Sequence, residues 1–149
     1  GSWNSGIGTI IKKIQWFMPF YSAGSCGLID VNDLVEIMFK LMNKNITKER
    51  FIINSEHFTY KKLMTIIATS LNRKAPFIEL NKHFMKFFIL IDMFINKLRN
   101  KRIELSVDAV KYTTTEIKLN SEKINNTIKH HYRNIENSLK ECTDIFINR

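Results

Sequence analysis

Apolar positions along the chain recur at helical spacing, in stripes separated by short extended runs. The segment that organises the rest runs from Gly27 to Met42. Leu28, Ile29 and Val31 suit a short strand covered on both faces. Asp33 then reads as an N-cap, with Glu36 three residues on completing a capping box. Leu34, Ile37, Met38, Leu41 and Met42 follow as one helical core stripe. Two carboxylates, Asp30 and Asp33, therefore stand where strand gives way to helix. In α/β folds that position serves ligands or fixes loops.

Before this junction, Ile7, Ile10, Ile11 and Ile14 predict a helix ending near Trp16, stopped by Pro19. Phe17, Met18, Phe20 and Tyr21 form an aromatic cluster ahead of a turn at Ser22 to Ser25. After the junction, Arg50 to Asn54 reads as a second strand. Thr59 caps a helix carrying Leu63, Met64, Ile66, Ile67 and Leu71. Asn72 to Lys74 is a turn, and Ala75 to Leu80 is extended, with Pro76 arguing for an edge or a strand start. Asn81 opens a Phe-rich helix through Leu98, and Ser106 caps a short helix from Leu105 to Val110. Asn120 or Ser121 caps another through Ile128. Lys129 to Arg133 is a basic loop. A last helix, Ile135 to Ile147, carries Ile135, Leu139, Cys142 and Phe146 on one side. The order is helix-rich α/β with two or three short strands, too few for a complete sheet, as if this were one half of a protein.

Composition adjusts this picture in three places. At 149 residues, with 44% hydrophobic and 11% aromatic content, one domain with an ordinary core is expected. The first residue is Gly1: the chain is trimmed, or Gly1-Ser2 is left over from cloning, or the chain is part of something longer. The net charge is +9, but lysine far outnumbers arginine, and Ile and Asn are abundant. Such a bias spreads charge over the surface, and scarce arginine argues against nucleic-acid readout. Cys26 and Cys142 stand alone, which suits reduced thiols and a cytoplasmic protein. No signal peptide is visible. Phe84 to Ile95 is the most apolar stretch, interrupted by Lys86 and Asp92. It is shorter than the ~20 residues of a membrane span.

Little of this carries chemistry. Asp30 and Asp33 are expected to shape and cap the loop beneath a ligand rather than transfer protons. His130, His131 and Cys142 fit no zinc spacing. Gly6-Ile7-Gly8 imitates the start of a dinucleotide fingerprint, yet Ile11 replaces its last glycine and no strand precedes it. Trp3, Trp16, Phe17, Phe20 and Tyr21 suit an apolar ligand wall or a core equally.

An ordered set of segments resembles the C-terminal half of the NAD(P)-dependent epimerase/dehydratase family, the extended short-chain dehydrogenases, in particular dihydroflavonol-reductase-like members. Gly27-Leu28-Ile29-Asp30-Val31-Asn32-Asp33-Leu34-Val35 is similar to the family's G-F-V-D-V-R-D-V-A, with Asn32 replacing its Arg. Gly1 to Gly6 looks like the loop before the substrate helix, and Phe20-Tyr21 through Gly24 like an F-Y-x-x-G turn. Glu49 to Ile53 resembles G-E-R-Y-I-L, and Thr59 to Ala68 the helix after it. Asn120 to Ile124 resembles a late S-N-x-K-A segment, and Tyr132 to Leu139 the final helix.

The resemblance implies the C-terminal, substrate-binding part (residues 1–149) of an extended Rossmann-type enzyme whose N-terminal dinucleotide-binding half is absent. It implies NAD or NADP as cofactor of the complete protein and none bound by this chain alone. The substrate would be a small molecule with a hydroxyl or keto group: a sugar nucleotide, or a steroid-like or flavonoid-like compound. Trp3, Asn4, Phe17 and Tyr21 are the expected substrate contacts. The family's catalytic Tyr-x-x-x-Lys is missing, because Tyr21, Tyr60, Tyr112 and Tyr132 are followed at that spacing by Ser25, Met64, Glu116 and Glu136. Alone, the chain should be inactive, with its missing half or a second copy as partner. A different class remains open: a basic helical interaction module that binds a partner chain through its Phe-rich helix.

Overall fold

The computed structural model of the chain describes residues 3–80 and 115–148. They form a small, helix-rich α/β fold. In order, the elements are α1 (Gly6–Trp16), β1 (Phe20–Ser22), β2 (Ser25–Leu28), α2 (Val31–Met42), β3 (Glu56–Thr59), α3 (Tyr60–Ser70), β4 (Ile78–Leu80), α4 (Glu122–Thr127) and α5 (Ile135–Ile147). The predicted Phe-rich helix and the short helix after it lie outside the described residues. The strands pair in two ladders. β1 runs parallel to β4, and β2 runs antiparallel to β3, with Cys26 opposite Phe58.

The helical stripes were largely readable. α3 lies at the centre, with Leu63, Met64, Ile67 and Ala68 buried. Around it gather Ile11 and Ile14 of α1, Tyr21, Phe58, and Ile135 and Leu139 of α5. Thr59 caps α3 by accepting from the Lys62 N–H at 3.2 Å. On α5 the inward residue is Thr143, not Cys142: it is four residues beyond Leu139, and its hydroxyl donates back to the Leu139 carbonyl at 2.8 Å. Both cysteines are free.

A second, smaller core holds Ile37 of α2 with Ile124 and Ile128, flanked by Ile29, Leu41, Phe51, Ile53 and Tyr132. Here several expectations fail. The strand ends at Leu28, because Asp30 caps α2 and draws Val31 into its first turn. Asp33 is therefore not the N-cap, and the Asp33–Glu36 capping box does not form. Met38 and Met42 are not core residues: they are 53% and 80% exposed. α2 buries Asp33 and Ile37 along one line and turns Val31, Val35, Met38, Phe39 and Met42 outward.

Arg50 to Asn54 is not a strand either. Its carbonyls are taken by side chains: Lys123 Nζ donates to Arg50 O at 3.1 Å and Ser121 Oγ to Asn54 O at 3.2 Å. The ladder begins only beyond them, at Glu56.

Residues 115–121 run beside β2. The Ile117 N–H donates to Ser25 Oγ at 3.0 Å, and the Leu119 N–H to His57 Nε2 at 2.8 Å. This leaves no room at Gly27, where a Cβ would collide with Asn54 Oδ1 and stand 2.7 Å from Leu119 Cδ1. Forcing in a methyl displaces the buried Asn54 or the 115–121 segment. Gly27→Ala should therefore cost about 1–3 kcal/mol, the usual scale for overpacking, read as a lower urea midpoint at unchanged slope.

Candidate functional site

The most connected polar assembly lies where α2 and α5 begin. Asp30 accepts from the Asn32 N–H at 2.7 Å through one oxygen, and Ser138 Oγ of α5 donates to the other. The Ser138 hydroxyl is the largest influence holding the Asp30 carboxyl below the ordinary range. Burial opposes it, while the Asn32 bonds and the Arg133 charge reinforce it.

Asp33 is almost completely buried. Its Oδ2 accepts from the Arg133 N–H at 2.8 Å. Its Oδ1 lies 3.2 Å from His130 Nε2 and 3.6 Å from Arg133 Nε. Arg133 Nη2 also reaches Glu36 at 3.5 Å. The carboxylate thus binds the 129–134 loop to α2 across about a hundred residues of sequence.

His130 extends this network. Its side chain is 3% exposed. Nδ1 lies 3.2 Å from Lys40 Nζ. An ammonium can only donate, so Nδ1 is the acceptor in this contact. Nε2 is within ion-pair reach of Asp33 but off the hydrogen-bond direction. Tyr132 stands edge-on to His130 at 5.1 Å, and its hydroxyl donates to Asn125 Oδ1 at 2.9 Å. The basic loop was visible in the sequence, but not its attachment to Asp33 and Lys40.

The four expected substrate contacts do not share one described cavity. Trp3 is half-buried against the main core, its ring 5.0 Å from that of Phe146. Asn4 accepts from Lys12 Nζ at 2.6 Å. Tyr21 is a core residue on β1, its hydroxyl donating to Glu79 at 3.1 Å with Lys61 above its ring. Phe17 is 70% exposed and, with Trp16 and Met18, lines an open depression of about 300 Å³. Among the described residues, no group of three or more His, Cys, Asp or Glu side chains could hold a metal ion. No described helix is long and apolar enough to cross a membrane.

No protein-family description and no curated protein matches the chain. Among solved structures it is similar to the crystal structure of gox2253, with a TM-score of 0.75 at 14% sequence identity. The match covers 97% of this chain and 44% of that one, so this chain spans less than half the length of its structural neighbour. At that identity the likeness concerns the fold alone.

The depressed Asp30 carboxyl fixes the sign of a pH effect. Its interactions stabilise the fold fully above the ordinary carboxylate range. They are lost as pH falls through the lower folded value. Ser138→Ala should lose about 1–3 kcal/mol at neutral pH, as for a hydrogen bond to a charged group. That deficit should shrink on acidification below about pH 4, the unfolded value, in urea titrations of both proteins.

Proposed function

We propose that this chain is the substrate-binding portion of a Rossmann-type, NAD(P)-dependent oxidoreductase or epimerase of the extended short-chain dehydrogenase kind. The substrate class is a small molecule bearing a hydroxyl or keto group. The fold likeness, which takes in nearly all of this chain and under half of a longer one, bears only on the reading of the chain as part of a larger fold. The observation that carries the oxidoreductase class is the ordered sequence resemblance, strongest at Gly27 to Val35.

Chain and cofactor do not fit each other here. Gly6 opens α1 directly after a turn at residues 3–5, and no strand precedes it among the described residues. The Tyr-x-x-x-Lys pair is absent from the sequence. NAD or NADP and the catalytic groups would come from another half, and no chemical step is assigned to this chain. Of the expected contacts, Phe17 is open to a ligand. Trp3 and Tyr21 pack into the main core and do not line that depression.

The coding sequence upstream of Gly1 is the test. An in-frame extension with a Gly-rich loop and Tyr-x-x-x-Lys is expected. The extended protein should oxidise NADH or NADPH with a carbonyl substrate, while the present chain alone should not. In that protein Phe17→Ala should raise KM several-fold and leave the melting temperature unchanged. An extension lacking both motifs, or one that fails to bind the dinucleotide, overturns the reading.

One observation favours a module that binds a partner chain, though through α2 and not through the expected Phe-rich helix, which lies outside the described residues. The outer face of α2 presents five large apolar side chains, each more than half exposed. Exposed patches of this kind commonly mark interfaces. On this reading Phe39→Lys with Met42→Glu should change the stability of the isolated chain by no more than about 0.5 kcal/mol, as exposed substitutions do. It should abolish any self-association seen by sizing.

A further inference from the structure

The basic loop has a use that the oxidoreductase reading does not absorb. Two depressions flank Lys129. One, of about 570 Å³, is lined by Asn125, His130, His131 and Tyr132 together with Lys129. The other, of about 420 Å³, includes Phe39, Lys40, Lys44 and Ile128, again with Lys129. Both volumes lie in the range of small-molecule sites, ~300–1,000 Å³.

The charges around them are unbalanced. Of the two nearby acids, Asp33 faces Arg133 and His130, and Glu36 faces Arg133. Among the described residues, Lys40, Lys44 and Lys129 have no carboxylate within ion-pair distance. Three ammonium groups and the exposed His131 thus surround the two hollows, and among the described residues no carboxylate is paired with those lysines.

The surroundings are also held in place before any ligand arrives. Lys40 Nζ is held at His130 Nδ1, and Lys44 Nζ donates to the Thr127 carbonyl. Ile128 is buried in the second core, Tyr132 is tied to Asn125, and the Arg133 N–H is bonded to Asp33. The loop need not be ordered on binding, which removes part of the entropic cost. Lysine suits phosphate as a point charge, and a phosphate offers close to two negative charges and three acceptor oxygens.

We propose that these depressions form a binding site for a phosphorylated small molecule, its phosphate seated at the shared Lys129. Tyr132 on one side, or Ile128 and Phe39 on the other, would cover its less polar part. Lys40 and His131 would complete the charge. The site stands apart from the Phe17 depression and does not depend on the oxidoreductase reading.

Inorganic pyrophosphate, titrated into the labelled chain and followed by amide resonances, tests this. Saturable shifts centred on residues 40–44 and 128–133 are expected. A Lys129→Ala/His131→Ala variant should weaken binding at least tenfold at an unchanged melting temperature. Lys129→Glu alone should do the same if the double variant folds poorly. Shifts that do not saturate, that spread equally over Lys12, Lys61 and Lys62, or that survive these substitutions overturn the site. A fifteen-residue oligothymidylate provides the other arm. If it binds with a steep salt dependence and displaces pyrophosphate, the surface belongs to a polynucleotide backbone and the small-molecule assignment fails.

Discussion

The buried carboxylate of Asp33 is the tie on which the second half of the fold depends. An ionised group taken out of water is costly unless its oxygens are satisfied. Here one oxygen takes the Arg133 N–H, and the other faces His130 and the Arg133 guanidinium. Asp30, three residues earlier, accepts from its own helix and from Ser138 of α5. The N-termini of α2 and α5 therefore share two carboxylates, and negative charge is favourable at both. The small core of Ile37, Ile124 and Ile128 lies beneath this polar seam, which ties the loop after Ile128 to α2.

That seam explains what could be read from the chain and what could not. Helices with one apolar face were legible in period and extent, as with Ile11 and Ile14 in α1 or Leu63 and Ile67 in α3. α2 misled because it is apolar on two sides. Periodicity identifies a stripe but not which stripe meets the core, and here the inner line begins with an aspartate. The cap moved from Asp33 to Asp30 for the same reason: a partner a hundred residues away recruits the residue that local rules would make the cap. The strand expected at Arg50 to Asn54 was lost to Ser121 and Lys123, which also lie far along the sequence.

The candidate site divides in the same way. Asp30 and Asp33 were expected as loop-shaping and capping groups beneath a ligand; Asp30 takes the cap, and Asp33 instead bonds the 129–134 loop. Trp3, Asn4, Phe17 and Tyr21 were chosen for type and proximity in sequence. The fold sends Tyr21 and Trp3 towards the main core and Phe17 outward, because the chain turns at Pro19 and β1 pairs with β4. His130 was legible in the sequence only as a candidate metal ligand, not as a partner of Asp33. Its neighbours in the sequence are basic, and its significance comes from the acid and the lysine that α2 brings to it.

The two-sided apolar character of α2 also bears on the chain's behaviour as a colloid. Five bared side chains on one helix are an adhesive surface, and apolar attraction between copies does not weaken as salt is added. What opposes it is the net charge of +9, which acts over a distance set by ionic strength. At about 0.15 M salt that distance is only ~8 Å, close to the reach of the side chains themselves. The lysines that look like compositional noise therefore act as a dispersant for a helix whose outer face has no cover among the described residues, and salt sets how well they do so.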